Sequence, residues 1–224
     1  MLPAKCELLK CPYCGKEKEV LSLASGNTFR SKYWSDTKVF HPMLPTVSPI
    51  QKCPSCGKYY FKANVKSRMG DDYSFDKGEL TYEELKEAAL QFEGEERISK
   101  DNRQTLLFYL RHIWQQNRKI SKDNRKTLLF ELMWAYNDKY NREEMDIVEP
   151  SDEERCYFET VVKEIMESYE LPDVFRAELY RERGMFEEAL EILKTCSPSE
   201  DYMIAIVEKM KLYAKNKSRI AFLR

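Results

Sequence analysis

Cys11-Pro12-Tyr13-Cys14-Gly15-Lys16 returns, some forty residues on, as Cys53-Pro54-Ser55-Cys56-Gly57-Lys58. A Cys-x-x-Cys pair wraps one edge of a tetrahedron, and two such pairs give a divalent ion four sulfur donors. The glycine after each second cysteine lets the chain turn back tightly, which aims backbone N–H groups at the sulfurs. Four thiolates fill the coordination sphere and leave no open position for water or substrate. Cys11, Cys14, Cys53 and Cys56 are therefore expected to hold a structural Zn2+; iron accepts the same four sulfurs and is the alternative ion.

Cys-Pro-Tyr-Cys by itself resembles the redox dithiol of glutaredoxins, whose first thiol sits at a helix N-terminus after a strand. Here Gly15 and Lys16 follow in place of an apolar helix. A second motif of the same form also needs a reason, and a shared metal supplies one. Cys6, Cys156 and Cys196 stand outside any paired spacing and are expected as small apolar core residues. An odd total of seven cysteines, metal-type spacing and the lack of a signal peptide at the start all point to a reducing cytoplasm.

Across 224 residues, 42% hydrophobic and 33% charged side chains are ordinary for a globular protein. No apolar run approaches the ~20 residues of a membrane span, so no membrane partner is expected. The net charge of −1 conceals an asymmetry: residues 1–66 carry 11 Lys/Arg against 4 Asp/Glu, and residues 67–224 carry 26 against 34. A basic head on an acidic body suggests two modules.

The fold class expected is α+β, with a small β zinc ribbon over residues 1–66, a linker over 67–79 and an all-α antiparallel helical domain over 80–224. Residues 5–10 lead into the first cysteine pair, and Glu19 to Leu23 alternates as a short strand would. Ser25-Gly26-Asn27 is a turn signal, and Phe29 to Phe40 reads as a hairpin inserted between the two pairs. The prolines between His41 and Pro49 forbid helix and central strand, and Tyr59 to Val65 reads as the closing strand. His41 is not needed as a ligand beside four cysteines. So small a ribbon needs its metal to be stable, and structural zinc is worth about 10–16 kcal/mol in finger peptides.

Ser67, Gly70, Asp71, Asp72, Ser74, Asp76 and Gly78 give the linker its turn-forming character. Thr81 with Glu84 forms a capping box that opens a helix with Leu85, Ala88, Ala89 and Phe92 on one face, ended by Gly94. Residues 98–110 then return as 120–132, identical at eleven of thirteen positions. Each copy is a polar turn entering an amphipathic helix, and the two are expected to pair antiparallel. Lys100, Arg103, Lys122 and Arg125 at the helix starts read as solvated charges, because cations there oppose the helix dipole. Trp114, Trp134 and Tyr136 read as core, and His112 has no neighbour that would make it a base.

Ser151 and Glu154 cap a further helix with Tyr157, Val161, Ile165 and Tyr169 on its face, and Pro172 starts the next. From there Ala177, Tyr180, Gly184, Phe186, Ala189, Leu190 and Leu193 resemble one tetratricopeptide (TPR) helix pair, with Gly184 at the inter-helix turn. Residues around Asp173 and Arg176 depart from that pattern, and a final helix is expected over Asp201 to Tyr213. As a whole the chain resembles uncharacterised bacterial proteins that join a Cys-Pro-x-Cys, rubredoxin-like zinc ribbon to a TPR-like helical region.

Two functions of different class follow. In the first, the chain is a non-catalytic zinc-binding adaptor whose helical groove takes a protein or peptide, since no nucleophile, base or phosphate loop stands at a recognisable spacing. In the second, the ribbon binds nucleic acid through Lys16, Lys18, Arg30, Lys32, Lys52 and Lys58, with Tyr33, Trp34, Tyr59 and Tyr60 stacking on bases. An enzyme is not expected.

Overall fold

The computed structural model describes residues 2–3, 5–44, 47–73, 76, 78–93, 121–142 and 149–222. The class is α+β: nine short strands, then six helices among the described residues. The chain divides into two compact units, Met1–Ser31 with His41–Leu128, and Lys32–Phe40 with Leu129–Arg224.

In the first unit every sheet is antiparallel. Strand β1 (Leu2–Pro3) pairs with β4 (Leu23–Ser25), and β3 (Glu17–Val20), β2 (Glu7–Lys10) and β9 (Ser67–Met69) form a three-stranded sheet in that order. Strands β7 (Ile50–Lys52) and β8 (Tyr59–Phe61) form the other hairpin of this unit. Lys10 faces Glu17 across β2–β3, and Lys52 faces Tyr59 across β7–β8, so each cysteine hexapeptide is the turn of its own hairpin. Leu9, Cys11, Val20, Cys53 and Tyr60 pack together as the core, with Val47 and Val65 against them.

Ser67–Met69 lies where a linker was expected, yet it is a strand: Leu8 pairs with Arg68 and Leu9 with Ser67. Its side chains are exposed, so the sequence shows no apolar alternation; the backbone ladder holds it, with Arg68 donating to both carboxylate oxygens of Glu17 at 3.1 and 2.8 Å. Gly70 follows under constraint, because a Cβ there would meet the Cys6 sulfur at 2.2 Å.

Helix α1 (Tyr82–Glu93) belongs to this same unit rather than to the later helices. The capping box forms as read, with the Glu84 N–H donating to Thr81 Oγ1 and the Thr81 N–H to Glu84 Oε2, both at 3.2 Å. Leu85, Ala88, Ala89 and Phe92 are buried, and the Phe92 ring stacks on Phe61 at 4.6 Å. Gln91 completes the junction. Its amide accepts from the Tyr59 N–H and donates to the Tyr59 carbonyl, both at 2.7 Å, as a neighbouring strand would.

The second unit begins with the expected hairpin, β5 (Lys32–Tyr33) with β6 (Val39–Phe40). Its turn is buried at Trp34, Ser35 and Asp36, and Thr37 takes φ 70°. Helix α2 (Lys122–Tyr140), which gives this unit its residues from Leu129 on, holds residues 122–132 of the second repeat copy and is capped by Ser121, whose Oγ accepts from the Asn124 N–H at 3.2 Å. The first copy, with Trp114, His112 and Gly94, lies outside the described residues.

Helices α3 (Asp152–Ser168), α4 (Asp173–Glu182), α5 (Phe186–Thr195) and α6 (Asp201–Lys215) complete the unit. Ser151 caps α3 as expected, its Oγ accepting from the Glu154 N–H at 3.2 Å. Tyr136 is core, stacked on Phe158 at 4.1 Å. The pair α4–α5 forms where the TPR-like residues stand, and Ala177, Leu193, Ile206, Val207, Met210 and Phe222 make a common core with α6. Gly184 turns the chain between the two helices at φ 80°.

Among the described residues no helix is long and apolar enough to cross a membrane. Of the three unpaired cysteines, Cys6 is buried and Cys196 half-buried, but Cys156 is exposed, contrary to its expected place in the core. It precedes Tyr157 and Phe158, the residues of α3 that face inward, and so falls just off the buried stripe.

Candidate metal centre

The two hexapeptide turns have the same backbone. The Cys11 N–H donates to the Lys16 carbonyl at 2.8 Å and the Gly15 N–H to the Cys11 carbonyl at 3.0 Å; Cys53 with Lys58, and Gly57 with Cys53, repeat both bonds at 2.9 Å. Gly15 and Gly57 sit at φ 73° and 71°, left-handed backbone that a side chain resists. A Cβ on Gly57 would meet nothing within 4 Å, so at this position the glycine is required by φ and not by space.

These turns bring the four sulfurs of Cys11, Cys14, Cys53 and Cys56 within 4.8 Å of one another. Across the two turns, Cys11 Sγ lies 3.8 Å from Cys56 Sγ, and Cys14 Sγ lies 3.6 Å from Cys53 Sγ. A tetrahedron with Zn–S bonds of about 2.3 Å has edges of about 3.8 Å. The donor set and its spacing therefore fit a tetrahedral ion of the size of zinc. One cysteine of each turn, Cys11 and Cys53, is buried, and the other, Cys14 and Cys56, is exposed, so the group lies at the margin of the ribbon core.

Backbone N–H groups supply part of the countercharge. Burial alone would push the Cys53 thiol up, but the N–H groups of Cys56 and Ser55 and the neighbouring sulfurs bring it down to about 7. The Lys16 N–H draws Cys14 down as well, yet desolvation and the other three sulfurs push it up to about 12. Four thiols so close cannot all ionise unless a cation joins them, and a divalent ion would supply the balancing charge. Tyr60 registers the same crowding: burial first, then the four sulfurs, raise its hydroxyl to about 12.

His41 takes no part, its Nδ1 lying 2.6 Å from Ser31 Oγ. Several of the basic and aromatic residues named for nucleic acid are engaged within their own unit. Trp34, Tyr59 and Tyr60 are buried and cannot stack on bases. Lys18 donates to Gln51 Oε1 at 3.0 Å and pairs with Asp76, and Lys52 pairs with Glu84 at 3.0 Å and Glu87 at 3.7 Å. Lys58 lies over the Tyr13 ring at 5.0 Å.

A second cluster, in the other unit, was not foreseen. Asp36, fully buried in the hairpin turn, forms an ion pair with Arg142 at 2.9 Å and accepts from the Asn137 amide at 2.9 Å; its carbonyl accepts from the Trp134 indole at 3.0 Å. Arg142 also donates to Asp138 at 2.7 Å and lies over the Trp34 ring at 4.6 Å. Nearby, Glu178 and Arg181 form a fully buried pair on α4. The sequence marks none of this at Asp36, because its partners stand about a hundred residues away and no local spacing reveals them.

No family model, no curated protein and no solved structure matches the chain.

Proposed function

We propose that the protein is a non-catalytic, zinc-stabilised adaptor: its four cysteines hold Zn2+ as a structural ion, and its helical unit contacts a protein or peptide. The observation that carries this is the closed set of four sulfurs, which uses every coordination position of a tetrahedral ion and leaves none for substrate. Bound there, the ion supplies cross-linking of two hairpins and no chemistry. The TPR-like pair α4–α5 supports the partner class, and reduced thiols suit a cytoplasmic setting.

The test uses the full chain loaded with zinc, beside a Cys11→Ser/Cys53→Ser variant, as baits. Metal analysis is expected to return one zinc per chain, with four sulfurs at about 2.3 Å by X-ray absorption. A protein retained in stoichiometric amount after nuclease treatment supports the adaptor. Retention that nuclease abolishes would favour nucleic acid instead, and disulfides that cycle without metal would remove the structural ion.

A further inference from the structure

The helical unit contains a cavity of about 340 Å3 that the adaptor function does not use. Its wall includes the rings of Tyr136 and Tyr140, the acid Glu182 and three cations, Arg155, Lys217 and Arg219. Arg155 is neutralised by Glu149 at 2.8 Å. Lys217 and Arg219 have no carboxylate partner among the described residues. Glu182 balances them poorly, because burial first and then the charges of Glu178 and Asp36 push its carboxyl well above the ordinary carboxylate range. The cavity is thus cationic and ring-lined, within the size range of small-molecule sites, about 300–1,000 Å3.

The turn that carries the two cations is fixed rather than loose. At the end of α6 the Lys217 N–H donates to the Ala214 carbonyl at 3.0 Å and the Ser218 N–H to the Tyr213 carbonyl at 2.9 Å, the paired bonds that close a helix through a left-handed residue. That residue is usually glycine, and here Lys217 takes it at φ 52°. Arg181, itself fully buried, donates to the Ser218 carbonyl and holds the turn from beneath. Arg219 rests beside Gly184, which has no side chain to displace it. A lysine kept in a left-handed backbone, beside an arginine that has no carboxylate partner among the described residues, is the kind of local cost that accompanies a binding site.

The geometry points to a site for a small organic anion, a carboxylate or phosphate ester, with its charged head between Lys217 and Arg219 and its apolar body against Tyr136 and Tyr140. Arg219 supplies the planar fork that suits either oxyanion.

Calorimetric titration of the zinc-loaded full chain with phenyl phosphate, benzoate, inorganic phosphate and benzyl alcohol tests this. Saturable binding of phenyl phosphate or benzoate, with none for benzyl alcohol, is expected, and Arg219→Gln should weaken the better anion by ~10-fold or more. Lys217→Gly keeps the turn and relieves its backbone, so weaker binding by a folded, no less stable variant would also support the site. The site is overturned if neither organic anion saturates by about 10 mM, if Arg219→Gln and Lys217→Gly bind unchanged, or if inorganic phosphate binds as tightly as phenyl phosphate.

Discussion

Gly184 and Arg219 occupy the same small volume: a Cβ on the glycine would lie 2.3 Å from Arg219 Nη2 and 2.7 Å from its Cζ. The glycine also ends α4, its N–H donating to the Arg181 carbonyl and the Met185 N–H to the Tyr180 carbonyl, both at 2.9 Å. Its φ of 80° adds a second cost to any side chain. Gly184→Ala is therefore expected to lose about 1–2 kcal/mol from left-handed backbone alone, with a further loss if Arg219 cannot move aside. A urea midpoint equal to that of the parent chain would show that neither constraint operates.

Removal of metal should act on one unit and spare the other. Unit one owes its core to Cys11 and Cys53 packed with Leu9, Val20 and Tyr60, and its two hairpin turns meet at the sulfurs. Structural zinc contributes about 10–16 kcal/mol in small finger peptides, more than two short hairpins can replace. A strong chelator, or Cys14→Ser with Cys56→Ser, is expected to expose the amides of β2, β3, β7 and β8 to hydrogen exchange while those of α4–α6 stay protected. Equal protection of the ribbon with and without metal would contradict this.

How much of this was legible in the sequence follows from the range of each interaction. The cysteine turns, the capping box at Thr81, the N-cap at Ser151 and the turn at Gly184 are set by residues three to six apart, and each formed where it was read. Strand β9 escaped because its exposed residues pair through backbone, which leaves no pattern of side chains. The place of α1 against β8 depends on Gln91 and Phe92 meeting Tyr59 and Phe61, about thirty residues away. The burial of Asp36 needs Asn137 and Arg142, and nothing in a hairpin turn announces a partner on a distant helix.

Asp36 and Arg142 should be worth far more together than either is alone. Both are buried, the pair stands at 2.9 Å, the Asn137 amide shares Asp36 Oδ2 with Arg142, the Lys38 N–H donates to Oδ1 at 3.1 Å, and the Trp134 indole donates to the Asp36 carbonyl. Asp36→Ala leaves the buried guanidinium with Asp138 as its remaining carboxylate among the described residues, and breaking such a pair costs about 3–5 kcal/mol. Arg142→Met removes the orphaned charge, so the double variant is expected to recover part of that loss. Additive losses in the double-mutant cycle would show that the two side chains are not coupled.

Glu182 gives the helical unit a pH dependence of defined sign. Burial first, then the charges of Glu178 and Asp36, raise its carboxyl well above the ordinary 4.5, and Arg181 and the Asn137 amide only partly oppose them. The folded chain thus binds this proton more tightly than the unfolded chain does. Its contribution is complete below about pH 4.5 and is lost as pH rises towards the folded value. Glu182→Gln keeps the amide geometry and removes the titration, while the cysteines, which titrate in the opposite sense on metal release, are common to both chains. The difference in urea midpoint between Glu182→Gln and the parent should therefore grow in favour of the glutamine as pH rises from about 5 to 8. Parallel pH profiles for the two chains would show that Glu182 is ionised in the fold.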